Sequence, residues 1–342
     1  MKVGIAGFAV SGKSTVFEWL TGAKPDHSKA QFGQLGVATV PDERLDWLSA
    51  HFKPKKTTYA KLEFLDTPGL VPAERKDNPR RLGIMRDANG LLIVLNGYGE
   101  GDLPGQLRRF REEMLFADLE IVANRIDKLK DNLKKPRPAK QKEQDQSELT
   151  LLQRIQGALE SGGSSLGLGA DEEKMVRSFQ LLTLKPELVL VNADEKTLQQ
   201  ALPAELTALA PTALQAAPRL EMELLELPEE DRRTFMQDLG LSEFRRDSTV
   251  RGIFTGMDQI VFFTVGEDEC RAWPIPRHAS AVEGAGEIHT DLSKGFVRAE
   301  VVSYDDFKKV GSMKEAKAKG VYRLEGKTYE VKDGDIMHIL HS

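Results

Sequence analysis

The chain has 342 residues, 40% hydrophobic and 30% charged, with a net charge of −5 and a single cysteine, Cys270. One thiol excludes a disulfide framework and fits a reducing compartment. The negative balance excludes a chain that is basic throughout, so any RNA contact must come from a local patch, and no DNA contact is expected. No apolar run approaches a membrane span and the apolar start is too short for a leader, so no membrane partner and a cytoplasmic location are expected.

Lys2–Ala6 has the pattern of a short buried strand. Gly7-Phe8-Ala9-Val10-Ser11-Gly12-Lys13-Ser14-Thr15 follows, a G-x-x-x-x-G-K-S loop, and a helix is expected from Thr15 to Leu20. Gly7 and Gly12 let the backbone from Ala9 to Ser11 curl its N–H groups towards one anion, and the helix start adds partial positive charge. Lys13 is expected on the β- and γ-phosphates, and the Ser14 hydroxyl on Mg²⁺. Thr21–Gly36 is polar and interrupted by Gly and Pro, which suggests a mobile connection. Val37–Val40 is expected as a strand, Pro41–Leu48 as a helix with Asp42 near its start, and Tyr59–Leu65 as a second strand. Asp66-Thr67-Pro68-Gly69 closes that strand. An Asp there can hold a Mg²⁺-bound water, and Gly69 can offer its N–H to a γ-phosphate with no Cβ in the way. Ras-like switches place a water-orienting Gln next; this chain has Leu70, so hydrolysis must place its water otherwise or be slow. Pro72–Arg86 carries Arg75, Lys76, Arg80, Arg81 and Arg86, and fits a solvated loop better than a dedicated arginine finger. Gly90–Leu95 fits a fully buried parallel strand.

Asn124-Arg125-Ile126-Asp127 looks like a guanine-reading N-K-x-D motif. Yet Leu115, Leu119, Val122, Ile126, Leu129 and Leu133 alternate four- and three-residue spacings, which is a helical seam rather than a strand end. A return helix with Leu149, Leu152, Ile155 and Leu159 on one face completes a hairpin. Its tip, with Lys128, Lys130, Lys134, Lys135, Arg137, Lys140 and Lys142, suits an acidic partner such as RNA. Ser161–Ser165 is a flexible break, and a short helix is expected from Asp171 to Leu182. Glu187–Val191 is a buried strand with Asn192-Ala193-Asp194-Glu195 at its tip, the better candidate for base reading. Glu195 is one methylene longer than the guanine-reading Asp and Ala193 replaces the usual Lys, which argues against strict guanine specificity and permits ATP. Gln215-Ala216-Ala217 lies where a last nucleotide-side loop belongs. Residues Pro218–Gly240 are helical, broken at Leu227-Pro228. From Met257 the pattern turns to strands at Ile260–Val265, Phe296–Val302, Gly320–Leu324, Tyr329–Val331 and Ile336–Leu340, with a tight turn at Lys332–Asp335. The histidines of this part show no metal-ligand spacing.

This order of motifs resembles the YchF/Obg-like ATPase family. The closest stretches are Thr183–Pro186, Phe235–Leu241, Phe263–Gly266, Arg271–Trp273, Ile288–Leu292, Lys294–Val301 and Lys332–Asp335, several of them similar to that family's TGS domain. The resemblance implies a translation-factor-type NTPase that binds ATP at least as well as GTP, associates with the ribosome, and tolerates a hydrophobic residue at the position of Leu70. Three departures stand out. No Thr in Phe32–Asp42 matches the family's Mg²⁺-binding Thr, Ser11 stands where Val is usual, and the glycine-rich run expected between Val71 and Arg86 is missing.

The expected fold is α/β: a P-loop G domain with a mostly parallel sheet over 1–256, a helical coiled-coil insert at 106–182, and a TGS-like β-grasp domain at 257–342. The expected activity is slow ATP (or GTP) hydrolysis, with Mg²⁺, by a ribosome- or ribosomal-RNA-linked switch. Lys13 and Gly69 act on the γ-phosphate, and Ser14 and Asp66 hold the metal. Gly7, Ala9, Val10, Ser11, Gly12, Lys13, Ser14, Thr15, Asn192, Glu195 and Ala216 hold the nucleotide. A non-hydrolysing scaffold for RNA or protein is the alternative, favoured by Leu70 and the short first switch. A P-loop kinase ranks last, because no arginine-rich lid follows the last strand.

Overall fold

The computed structural model describes residues 1–342 except 30–31, 73–75, 100 and 163–166. They separate into two compact units, one of residues 2–36 with 64–242 and one of Met1, 37–63 and 243–342. Among the described residues there are two six-stranded sheets.

The first sheet has the order β2-β4-β1-β5-β6-β7, formed by β1 (Lys2–Ala6), β2 (Gln34–Thr39), β4 (Lys61–Asp66), β5 (Gly90–Gly97), β6 (Glu187–Ala193) and β7 (Leu214–Ala216). β1, β5, β6 and β7 run parallel. β5 is apolar without alternation, as a parallel strand covered on both faces must be, and all of Leu91–Leu95 is buried. Its Leu91, Ile93 and Leu95 pack with Leu107, Phe110 and Leu70 in one core. β2 begins earlier than its sequence suggests. Its inward positions are Gly36 and Ala38, while Leu35 and Val37 face outward, so the apolar residues mark the wrong side. Ahead of it lies a 3₁₀ turn, His27–Lys29.

The helices of this unit begin with α1 (Lys13–Thr21), which extends the expected helix at both ends. The stretch expected as a solvated loop after Pro72 instead forms α3 (Asn78–Arg86), with Pro79 in its first turn, a position where proline suits a helix; Arg75 lies outside the described residues. α4 (Leu103–Leu133) and α5 (Ala139–Glu160) form the hairpin, with Pro136 and Pro138 between them. Val122, Ile126, Leu129, Leu149, Leu152, Ile155 and Leu159 share its core. Asn124 is exposed, and Arg125 binds Glu148 across the seam at 2.8 Å, so this motif is a packing feature. At the tip, Lys134 pairs with Asp131, which lies among the basic residues, and Arg137 pairs with Asp145, just beyond them. The expected helix from Asp171 ends early, as α6 (Ala170–Val176) followed by two 3₁₀ turns. Of the break before it, 163–165 lie outside the described residues. Two short helices not foreseen, α7 (Glu195–Leu198) and α8 (Ala204–Leu209), separate β6 from β7. α9 (Pro218–Leu225) and α10 (Glu229–Asp238) divide at Pro228, and Glu229, Glu230 and Asp231 occupy the positive end of α10.

The second unit contains α2 (Glu43–Phe52), capped by Asp42, whose carboxylate accepts the Arg44 N–H at 2.9 Å. Its sheet has the order β11-β10-β12-β8-β9-β3. The strands are β3 (Lys56–Thr58), β8 (Gln259–Thr264), β9 (Glu269–Pro276), β10 (Phe296–Ser303), β11 (Arg323–Glu325) and β12 (Asp335–His341). β8 and β9 are an antiparallel hairpin, and β12 returns parallel to β8. The helices here are α11 (Arg246–Gly256), α12 (Ala281–Ile288), α13 (Thr290–Lys294), α14 (Tyr304–Val310) and α15 (Met313–Ala318). Tyr329–Val331, expected as a strand, makes only an isolated bridge from Glu330 to Ser280. β3 and β9 are strands the pattern did not announce.

Candidate active site

The chemistry collects at the C-terminal edge of the first sheet. Gly7–Gly12 leaves β1 as a tight loop. Val10 has φ 60 and Gly12 φ 87, which turns the backbone in the left-handed sense an anion nest needs. Neither glycine can carry a side chain: a Cβ on Gly7 would meet the Val94 carbonyl oxygen at 2.6 Å, and one on Gly12 would meet Asn192 Nδ2 at 2.0 Å. Opposite, the Ala9 N–H donates to the Leu70 carbonyl at 2.8 Å and the Leu70 N–H to the Gly7 carbonyl at 3.1 Å. The segment after β4 is thereby stitched to the phosphate loop.

Lys13, Ser14, Asp66 and Gly69 line one cleft of ≈ 200 Å³, with Ala9 and Val10. Lys13 donates to the Phe8 carbonyl at 2.7 Å. Burial pulls its ammonium down to about 8, against the raising effect of nearby Asp66. Burial pushes the Asp66 carboxyl up, opposed by Ser14 and Lys13. The Ser14 hydroxyl donates to Asp66 Oδ2 at 2.8 Å. A Cβ on Gly69 would stand 2.6 Å from Lys13 Nζ and 2.8 Å from the Ala9 backbone, so only glycine allows this approach. Thr15 lies half-buried in the first turn of α1.

Ser11 Oγ, Asp66 Oδ1 and Asn192 Oδ1 are buried without a hydrogen-bond partner. Buried polar atoms are normally satisfied, so their concentration here marks a place built for a polar ligand. Paired hydroxyl and carboxylate oxygens are the hard donors Mg²⁺ prefers, and a carboxylate oxygen with no protein partner fits that ion.

The base end is less complete. Asn96, Asn192 and Ala216 stand in one row across β5, β6 and β7. Asn192 is 1% exposed and its Nδ2 donates to the Ser11 carbonyl at 3.0 Å, so it also braces the phosphate loop. Glu195 is exposed in the first turn of α7, at the same strand end. Asp194, one residue before it, is committed as the cap of that helix, accepting from the Thr197 N–H at 2.8 Å. Ala216 is fully buried. The structure thus gathers the phosphate and metal candidates in one cleft and sets Asn192 against it, while Glu195 and Ala216 mark the strand ends beyond.

Sequence reasoning missed Asp26, Lys29 and Gln34, which line the same cleft as Ser14. Asp26 accepts from the Ser28 hydroxyl at 2.6 Å, which holds its carboxyl below the usual range. No motif announces these residues; only the path of the chain from α1 to β2 brings them in. The Leu70 side chain, 0% exposed, packs in the core with Phe8 and Phe110 and is withdrawn from the cleft.

A family model described as 50S ribosome-binding GTPase matches residues 2–128, and the YchF-GTPase C-terminal model matches 259–342. Similar over nearly their full lengths are the ribosome-binding ATPase YchF of Pasteurella multocida, 32% identical over 98% of this chain and 98% of the relative, and that of Bacillus subtilis, 31% identical over 99% and 98%. The solved structure of the Schizosaccharomyces pombe YchF GTPase superposes with a TM-score of 0.80 at 25% identity, covering 99% of this chain and 97% of that one.

Proposed function

This chain belongs to the YchF family of ribosome-binding ATPases, and on that premise we propose that it is a slow, ATP-preferring and Mg²⁺-dependent switch. It is a nucleotide-binding P-loop hydrolase whose partner is the ribosome. The observation that carries the site assignment is the electrostatic mismatch in the cleft. A buried ammonium is pulled down and a half-buried carboxyl pushed up, each short of counter-charge. A triphosphate answers the first and a divalent cation the second.

In this reading the loop N–H groups after Ala9, whose own N–H is taken by the Leu70 carbonyl, and the Lys13 ammonium hold the β- and γ-phosphates. Ser14 and Asp66 hold Mg²⁺, which when bound neutralises charge on phosphate oxygens. Gly69 brings its N–H to the γ-phosphate. Asn192 and Glu195 meet the base, and Ala216 floors the slot beside them. ATP is admitted because Ala193 offers no lysine stem for the base to lie on and exposed Glu195 is not fixed against the adenine ring edge. Turnover is slow because Leu70 is locked in the core. The ribosome is met in part by the hairpin tip, where Lys128, Lys130, Lys135, Lys140 and Lys142 are exposed and suit RNA phosphates.

Calorimetric titration with ATP and GTP, each with and without Mg²⁺, tests this reading. ATP should bind at least as tightly as GTP, and chelating the metal should weaken both. A strong preference for GTP refutes the account of the base slot; affinity indifferent to Mg²⁺ refutes the roles of Ser14 and Asp66.

A further inference from the structure

Beyond Gly69 the phosphate cleft opens into a second cavity of ≈ 410 Å³, lined by Ala9, Pro68, Gly69, Val71, Asp77, Arg80 and Arg81. Ala9, Pro68 and Gly69 line both spaces, so the second begins where the first ends. Gly69 lies against Lys13 Nζ, which places this opening at the γ-phosphate end of a nucleotide held by the loop. Leu70 is turned away from it into the core.

The cations after Pro72 have different employment. Arg86 is bound to Asp118 at 2.6 Å and to the Gln180 carbonyl at 3.0 Å, which ties α3 to α4. Arg81 donates to Asn78 Oδ1 at 3.3 Å, and Asn78 clamps both backbone groups of Val71 at 3.2 Å. That clamp fixes the first turn of α3. Arg80, exposed on that turn, faces the cavity, with its guanidinium carbon 5.2 Å from the centre of the Phe32 ring. Phe32 is itself 69% exposed. A cation over an exposed ring is held weakly, whereas a guanidinium on phosphate oxygens makes two charge-assisted hydrogen bonds. Phe32 is therefore a resting place that an arriving γ-phosphate outbids.

We propose that Arg80 is a catalytic residue of this site, an arginine supplied from within the chain that binds the γ-phosphate in the transition state and offsets the loss of a water-orienting side chain at Leu70. The assignment rests on the hydrolase reading above. In the reaction a water oxygen bonds to the γ-phosphorus as the bond to the β,γ-bridging oxygen breaks. That electron pair leaves on the nucleoside diphosphate, and the water proton ends on the released phosphate. Arg80 takes no part in the proton balance. Its N–H groups donate to the equatorial γ-oxygens, over which charge is spread as the bond breaks.

Wild type, Arg80→Ala and Arg80→Lys are compared in turnover and in binding two probes: a non-hydrolysable ATP analogue, and ADP with aluminium fluoride. Arg80→Ala should lose about a hundredfold in kcat and a similar factor in affinity for ADP with aluminium fluoride, with analogue affinity changed less than about twofold. Arg80→Lys should recover part of both losses, having the charge without the planar fork. Lys13-dependent turnover that survives Arg80→Ala overturns the assignment alone, as does a loss that appears equally in analogue affinity. A wild type with no Lys13-dependent turnover overturns the hydrolase reading and the assignment together.

Discussion

Changing the pH reads the charge state of Lys13 directly. Its ammonium titrates at about 8 in the nucleotide-free fold, against 10.5 for an ordinary lysine, because burial costs more than Asp66 returns. The free protein therefore holds Lys13 about half neutral at pH 8 and about nine-tenths neutral at pH 9. A bound triphosphate favours the charged form and raises the pKa, so binding must take up protons: about 0.5 at pH 8, about 0.9 at pH 9, and almost none at pH 6.5. Over pH 8 to 9 affinity should fall about fivefold, as the protonated fraction does. Stability without nucleotide moves the other way. With the folded pKa below the unfolded one, the unfolded chain binds more protons between them, so the free fold gains stability as pH rises from about 8 to 10.5, by a total on the order of 3 kcal/mol. Calorimetry in pairs of buffers of equal pH and different ionisation enthalpy measures the uptake. Lys13→Arg, which stays charged, should abolish it. Proton release at pH 9, or uptake that persists in Lys13→Arg, would refute the reasoning.

Gly12→Ala should destabilise the free fold by several kcal/mol and abolish nucleotide binding, since its Cβ would stand 2.0 Å from Asn192 Nδ2 at φ 87. Adding Asn192→Ala should relieve the clash but not the backbone strain of about 1–2 kcal/mol, as denaturant unfolding of the pair would show. Asp66→Asn should flatten the Mg²⁺ dependence of nucleotide affinity and slightly raise the melting temperature without nucleotide, because it removes a half-buried charge with a buried, unpartnered oxygen. A lowered melting temperature with unchanged Mg²⁺ dependence would contradict the metal role. Ile126→Ala should cost about 2–5 kcal/mol of stability, with the nucleotide affinity of the folded protein unchanged. A selective loss of affinity at full stability would return the Asn124–Asp127 stretch to base reading.

Where chemistry is contiguous in the chain, it was legible. The loop from Gly7 to Ser14 and the Asp66–Gly69 turn carry their meaning in a few neighbouring residues, because backbone curvature and a helix start are local properties. The hairpin was legible for another reason: a seam repeated over many turns outweighs a four-letter match, and it assigned Ile126 to the core. The outward-facing Leu35 and Val37 misled, because β2 buries the small residues Gly36 and Ala38 instead, Gly36 against the ring of Phe17. The tip of the hairpin is less basic than its letters, since Asp131 and Asp145 reach Lys134 and Arg137.

The residues alone determined that this protein would hold a phosphate chain at a strand-to-helix turn, with a carboxylate from a later strand beside it. They also determined that a hydrophobic side chain would follow Gly69. Tertiary structure decided what those residues meet. It set Asn192 under Gly12, brought Asp26, Lys29 and Gln34 to the cleft, withdrew Leu70 into the core, and left Arg80, unlike Arg86 with its buried carboxylate, facing the cavity beyond Gly69. Such pairings join positions far apart in the chain, and they are selected by how strands and helices fit around one core, which no short window of sequence encodes.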